Sequence, residues 1–130
     1  MPAVELEGYS YVGTLTIPAL DLKLPVQQTW SYPQLKISPC VFNGTCYENG
    51  FVIIAHRYTK HFSGIKNLKV NDTVTFTDMD GNVFRYRVIG IDTLKPNQLE
   101  ALLDDRYAMS LMTCTYDGSK RVTVRLERKD

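Results

Sequence analysis

Between Thr73 and Ile91 the chain alternates apolar and polar side chains on both sides of one Asp80-Gly81 pair, and no other pattern restricts the fold as much. A period of two describes a strand with one buried and one wet face. Asp-Gly between two such runs is a hairpin signal, because the favoured two-residue turn needs positive φ at both central positions. Thr73 to Thr77 and Val83 to Ile91 are therefore expected to pair antiparallel. Thr14 to Ile17, Leu24 to Gln28 and the wholly apolar Phe51 to Ala55, which follows Asn49-Gly50, read as further strands. Ala108 to Cys114 and Arg121 to Arg128 form a second predicted hairpin. In its last strand Val122, Val124 and Leu126 share one face, and Thr123, Arg125 and Glu127 the other. Helix is limited to Asn97 to Leu103, where Leu99, Leu102 and Leu103 follow Pro96, with a turn or two in Tyr58 to Leu68. Many short strands with crossing connections point to an all-β, closed or nearly closed barrel, which also removes exposed sheet edges.

A chain of 130 residues is expected to form one domain, residues 1–130, around one core. Fifteen basic and fourteen acidic residues leave a net charge of +1. The basic residues are scattered, which speaks against nucleic acid as a partner. No apolar run reaches the roughly twenty residues that span a bilayer, and Met1 to Ser10 lacks the basic start and apolar stretch of a signal peptide. As given, the chain reads as soluble. Asn43-Gly44-Thr45 matches a glycosylation acceptor but is more simply a turn.

The chemistry concentrates at predicted strand ends. Cys114 ends one strand, Arg121 starts the strand that pairs with it, and His56 ends the apolar run of Phe51 to Ala55. A thiol needs a neighbouring imidazole or cation to raise its reactive thiolate fraction, and an imidazole can pass the proton to a departing amine. A guanidinium stays charged and presents several donors to a developing oxyanion. Cys114, His56 and Arg121 are thus the candidate nucleophile, acid/base and charge stabiliser. The loop from Thr115 to Lys120, with Asp117-Gly118 as its turn, should bring the cysteine and arginine to one groove. Thr113 is a candidate substrate contact through its hydroxyl, balanced against a plain β-branched strand residue. His61 reads as a solvated loop residue. Glu48, Asp92, Asp104 and Asp105 lack the order of a calcium loop, and three cysteines with two histidines make no persuasive zinc set. No cofactor or metal is expected. Cys40 and Cys46 flank a turn-like stretch, Val41 to Thr45, and an extracellular setting would permit a disulfide between them, although spacing alone does not give the required Cα separation.

Leu111-Met112-Thr113-Cys114 followed by Arg121, with Ala55-His56-Arg57 upstream and Gly13-Thr14-Leu15-Thr16-Ile17-Pro18 near the start, resembles the sortase family of Gram-positive cell-surface transpeptidases over nearly the whole chain. The resemblance implies an eight-stranded barrel working with Cys, His and Arg. It implies a surface-protein substrate with an LPXTG-like sorting motif, a thioester on Cys114, and transfer to an amine of a peptidoglycan precursor or a pilin. Hydrolysis, with water as acceptor, and a non-catalytic peptide-binding barrel are the alternatives. The resemblance also implies the extracellular face of the plasma membrane, through an N-terminal anchor absent from this chain. Substrate selection is expected in Asp92 to Tyr107, with Leu99, Leu102 or Leu103 covering one wall of the groove.

Overall fold

The computed structural model describes residues 1–56, 61–114 and 118–129, and of Cys114 the backbone alone. The expected features at Arg57, in 58–60 and in 115–117, including the Asp117 half of a turn, lie outside the described residues.

Among the described residues nine strands follow one another: β1 (Val4–Leu6), β2 (Tyr9–Ile17), β3 (Leu22–Gln27), β4 (Cys40–Asn43), β5 (Phe51–Ile54), β6 (Thr73–Asp78), β7 (Val83–Leu94), β8 (Met109–Cys114) and β9 (Arg121–Arg128). Two one-turn helices, α1 (Tyr32–Leu35) and α2 (Leu99–Leu102), and two 3-10 turns lie in the connections. The sheet order is β1-β2-β3-β4-β5-β8-β9-β7-β6, and a further β2–β6 pairing closes the last eight strands of that series into a barrel, with β1 as an extra strand on β2.

Both predicted hairpins form, β6 with β7 and β8 with β9, each antiparallel. The first turn differs from the two-residue form expected. Three residues, 79–81, separate the bonded pair Asp78 and Asn82, and only Gly81 has positive φ, at 85°. Asp78 is the reason. Its carboxylate accepts from the Asp80 and Asn82 amides, the Asn82 side chain and the Tyr47 hydroxyl, so the aspartate before the turn holds the loop. The Asn82 side chain first, then the Tyr47 hydroxyl and the two amides, hold this carboxyl below its ordinary pKa against the effect of burial.

Two apolar clusters explain which runs alternate and which do not. The barrel interior gathers Leu15, Ile17, Phe51, Ile53, Val74, Phe76, Met109, Leu111, Val124, Leu126 and their neighbours. A second cluster outside the wall contains Leu35, Cys40, Val52, Ile54, Leu94 and Leu102. β5 therefore buries odd-numbered residues inward and even-numbered ones outward, which is why Phe51 to Ile54 has no polar position. It lies parallel to β8, register Ile54↔Met112, and strands buried on both faces are the usual habitat of parallel pairing.

The segment from Val41 to Thr45 is not a turn: Cys40–Asn43 is β4, antiparallel to β5, and the turn begins at Gly44, whose φ is 75°. β7 runs three residues past its expected end; it pairs with β6 through Arg87 and with β9 from Tyr86 onward, with a bulge between Val88 and Gly90 in the β9 ladder.

Barrel closure depends on Gly13, where β2 meets β6. A Cβ there would overlap the Thr77 carbonyl oxygen and the buried Phe76 ring, neither of which can swing aside. Gly13→Ala is expected to destabilise the fold by about 1 to 3 kcal/mol, read as a lower urea midpoint at unchanged slope. An unchanged midpoint would mean that the β2–β6 seam is loose.

Candidate functional site

Three neighbouring strands bring the chemical candidates to one rim. β8 pairs antiparallel with β9 and its last residue, Cys114, lies opposite Arg121. On the other side β8 pairs with β5, and the ladder continues past Ile54 through a bond from the Ala55 amide to the Met112 carbonyl, 3.1 Å. Carried two residues beyond Ile54↔Met112, that register brings the backbone of His56 level with Cys114. His56 is partly buried, and its own carbonyl accepts from the Phe62 amide at 3.1 Å. The Arg121 guanidinium folds back on the β8–β9 connection, with Nη1 donating to the carbonyls of Gly118, 2.9 Å, and Lys120, 3.4 Å.

From Arg121 a groove of about 210 Å³ runs over the outer cluster. Ile54 and Met112 form its floor. One wall is Trp30, Tyr32, Leu35 and Phe42; the other comes from the β7–β8 connection, with Leu94, Leu99 and Leu102. The aromatic wall is built locally. Ser31 caps α1 by accepting from the Gln34 amide at 3.1 Å. Buried Gln27 holds α1 from below, donating to the Gln34 carbonyl at 2.8 Å and to the Ser38 hydroxyl at 3.0 Å. Trp30 then packs edge-on to Tyr32, centroids 5.5 Å apart, and against Phe42 at 5.7 Å.

Leu99 and Leu102 thus lie in the groove that ends at Arg121. Leu103 packs against the outer cluster instead. Thr113 is not a lining residue: it is 3 % exposed, opposite Val122, and its Oγ1 is buried with no hydrogen-bond partner among the described residues. The aromatic wall was not anticipated from the sequence. Its one available sign was the spacing of Trp30, Ser31, Tyr32 and Pro33, a cap and first turn bearing two large rings.

His61 departs from the solvated position expected of it. It is 7 % exposed, beside the fully buried Phe62. Burial lowers its pKa first, and the charge of nearby His56 lowers it further, against a bond to the Ile37 backbone. The two histidines therefore sit close enough at the rim to influence one another's charge.

Cys40 and Cys46 are both free and buried, and no bridge joins them. Cys40 belongs to the outer cluster and Cys46 to the barrel interior, on opposite sides of the wall. Burial pushes their thiols up to about 12 and about 11. Of the four acidic residues considered for calcium, Asp92 pairs with Arg125 and Asp104 with Arg106. Among the described residues no three His, Cys, Asp or Glu side chains gather as a metal site.

The sortase-domain family profile matches residues 15–129. This chain belongs to the sortase family. The family consists of cysteine transpeptidases associated with the surface of Gram-positive bacteria. Among solved structures the chain is similar to sortase A from Corynebacterium diphtheriae, with a TM-score of 0.84 and 23 % identity over 94 % of this chain and 62 % of that one. It is also similar to sortase C1 from Streptococcus agalactiae, at 0.83 and 26 % over 92 % and 68 % of the two chains. Sortase C from Clostridium perfringens SM101 gives 0.80 and 27 % over 92 % and 70 %. The chain thus spans about three fifths of the length of the diphtherial sortase. No curated protein matches it. Among the described residues no helix of this sortase is long and apolar enough to cross a membrane.

At pH 8 Cys40 and Cys46 are neutral thiols in the native protein, since both titrate well above that pH and neither is accessible. Cys114→Ala protein should therefore release almost no thionitrobenzoate from Ellman's reagent when native, and two equivalents when denatured without reductant. Rapid native labelling would contradict the burial of both residues, and no labelling after denaturation would mean a bridge.

Proposed function

We propose that residues 1–130 constitute the catalytic domain of a sortase that cleaves a surface protein within an LPXTG-like sorting motif and transfers its acyl fragment to an amine. The supporting observation is that Cys114 ends β8, Arg121 starts β9 opposite it and His56 follows two residues past the end of β5, with Arg121 lining an apolar groove. The sulfur of Cys114, as thiolate, attacks the carbonyl carbon of the scissile peptide. Negative charge gathers on that oxygen, and Arg121 stabilises it by leaving its loop carbonyls; donors of this kind contribute about 3 to 4 kcal/mol. His56 gives a proton to the departing amine as the C–N bond breaks, leaving a thioester. An incoming amine, from a peptidoglycan precursor or a pilin, attacks the thioester and passes its proton to His56 as the C–S bond breaks, which restores the Cys114 thiolate beside a protonated His56. Leu99 and Leu102 hold apolar residues of the motif. The place of work is the outer face of a Gram-positive plasma membrane, where an anchored enzyme meets both substrates.

Cys114→Ala is expected to lower peptide cleavage by about 10⁴-fold or more with an unchanged circular dichroism spectrum, and His56→Ala nearly as much. Arg121→Lys keeps the charge but loses the planar fork, so kcat should fall by about 10²-fold with little change in KM. Mass spectrometry with a sorting-signal peptide and a mixture of amines reads the products. Full cleavage by the folded Cys114→Ala protein would overturn the covalent mechanism, and free acid as the sole product in the presence of amines would assign hydrolysis instead.

A further inference from the structure

Alternation along β9 places Arg125 on the face opposite Val124 and Leu126, where a charged residue is expected to meet water. It does not: Arg125 is 3 % exposed. Its guanidinium is occupied on several sides. Nε donates to Asp92 Oδ2 on β7 at 2.9 Å, and Nη1 to the Ser110 hydroxyl on β8 at 2.9 Å. Nη1 also donates to the Leu102 carbonyl at 3.2 Å and Nη2 to the Ala101 carbonyl at 2.5 Å. The Tyr107 ring lies 4.8 Å from the guanidinium carbon.

Two of these partners are the last carbonyls of α2. A one-turn helix has no stability of its own, and its final carbonyls have no partner within the helix. For α2 that partner is a cation, the sign that suits a helix carboxyl end. The same guanidinium is fixed to the two strands beneath. The leucines of the groove wall are thus carried by an element whose position is set through one side chain that touches neither Cys114, His56 nor Arg121 in the described contacts.

We propose that Arg125 is a positioning residue for peptide selection: it clamps α2 to β7 and β8 and so sets the Leu99–Leu102 wall of the groove. The inference rests on the groove being the peptide site. Lysine cannot replace it, since one ammonium cannot reach a carboxylate, a hydroxyl and two carbonyls in three directions.

The test compares wild type with Arg125→Met, Arg125→Lys and Asp92→Asn, the last removing the charge from one bond at the half-exposed end of the clamp. Hydrogen exchange of the amides in 97–103 reads the clamp directly, and kcat and KM for a panel of sorting peptides with leucine, valine or alanine at the apolar position read selection. Arg125→Met should lose at least tenfold protection in 97–103 while β5 keeps its own. It should raise KM at least fivefold for the leucine peptide and shrink the leucine-to-alanine preference, with kcat within about twofold. Arg125→Lys should fall between, and Asp92→Asn should show the same pattern in weaker form. Leu102→Ala should cost less selectivity in the Arg125→Met background than in wild type, as expected of residues acting through one element.

Unchanged exchange in 97–103 overturns the clamp, as does an even loss of protection across the barrel, which would make Arg125 a general stabiliser. If Arg125→Met does not fold, Asp92→Asn decides by the same two readouts. Lost protection in 97–103 with an unchanged peptide ranking overturns the role in selection. A wild-type enzyme that does not rank the peptides at all overturns the peptide reading of the groove, whereas the exchange result still judges the clamp.

Discussion

The parallel pairing of β5 with β8 is the contact from which the rest of this site is arranged. Each strand faces the barrel interior with one set of residues and the outer cluster with the other. A one-residue slip would exchange Phe51 and Ile53 with Val52 and Ile54 between two differently shaped clusters. Phe51 resists that exchange, since its ring meets Phe76 edge-on with centroids 5.1 Å apart, a geometry worth about 0.5 to 1.5 kcal/mol beyond area buried. Register fixed deep in the wall is carried to the rim. It determines that the residue two past Ile54 comes level with the residue two past Met112, and so that a histidine and a cysteine 58 positions apart in sequence become neighbours.

Much of this was legible where a local rule and the global fold agree. The alternation in Thr73 to Thr77 and in Arg121 to Arg128 is a local property, and both runs are strands with the expected apolar faces inward. The errors fall where tertiary burial overrides local pattern. Arg125 and Thr123 look like a wet face because the α2 segment that covers them arrives from another part of the chain. His61 looks solvated because its neighbours in sequence are polar, whereas its neighbours in space are His56 and Ile37. β4 escaped notice because only four residues make it and its partner, β5, follows a turn rather than a hairpin signature. The proposed trio stood out in the sequence only as residue types at expected strand ends. The aromatic wall did not, because Phe42 comes from β4, apart in sequence from Trp30 and Tyr32 at the start of α1, and only packing joins them.

Burial gives two of the three cysteines a purely structural role. Cys40 and Cys46 occupy apolar surroundings that disfavour the thiolate, so they behave as small hydrophobes. Cys114 lies at a strand end, at the same rim as His56 and opposite Arg121, where groups able to favour a thiolate converge. A proposed nucleophile in the chain with two inert thiols is therefore distinguished by position rather than by residue type. The separation also accounts for the missing disulfide, because the barrel wall stands between the two clusters.

In the proposed transpeptidase, strand-borne chemistry and connection-borne recognition impose different demands on the same barrel. The reacting groups need constant geometry, and ladder hydrogen bonds across β5, β8 and β9 supply it. The groove walls must match a peptide, and they are carried by α1 and α2, one turn each, which cannot hold themselves. Each is tied to the barrel by one buried side chain with several donors: Gln27 beneath α1 and Arg125 beneath α2. Substitutions on the exposed side of either turn can then alter what the groove accepts while the tie below keeps the wall in place, and the strand ends need not move. A loss of the tie acts in the opposite sense, leaving the groove residues unchanged in identity and displaced in position. Recognition in the proposed enzyme is thus governed at two separable levels, the side chains that face the groove and the polar anchors that hold them there.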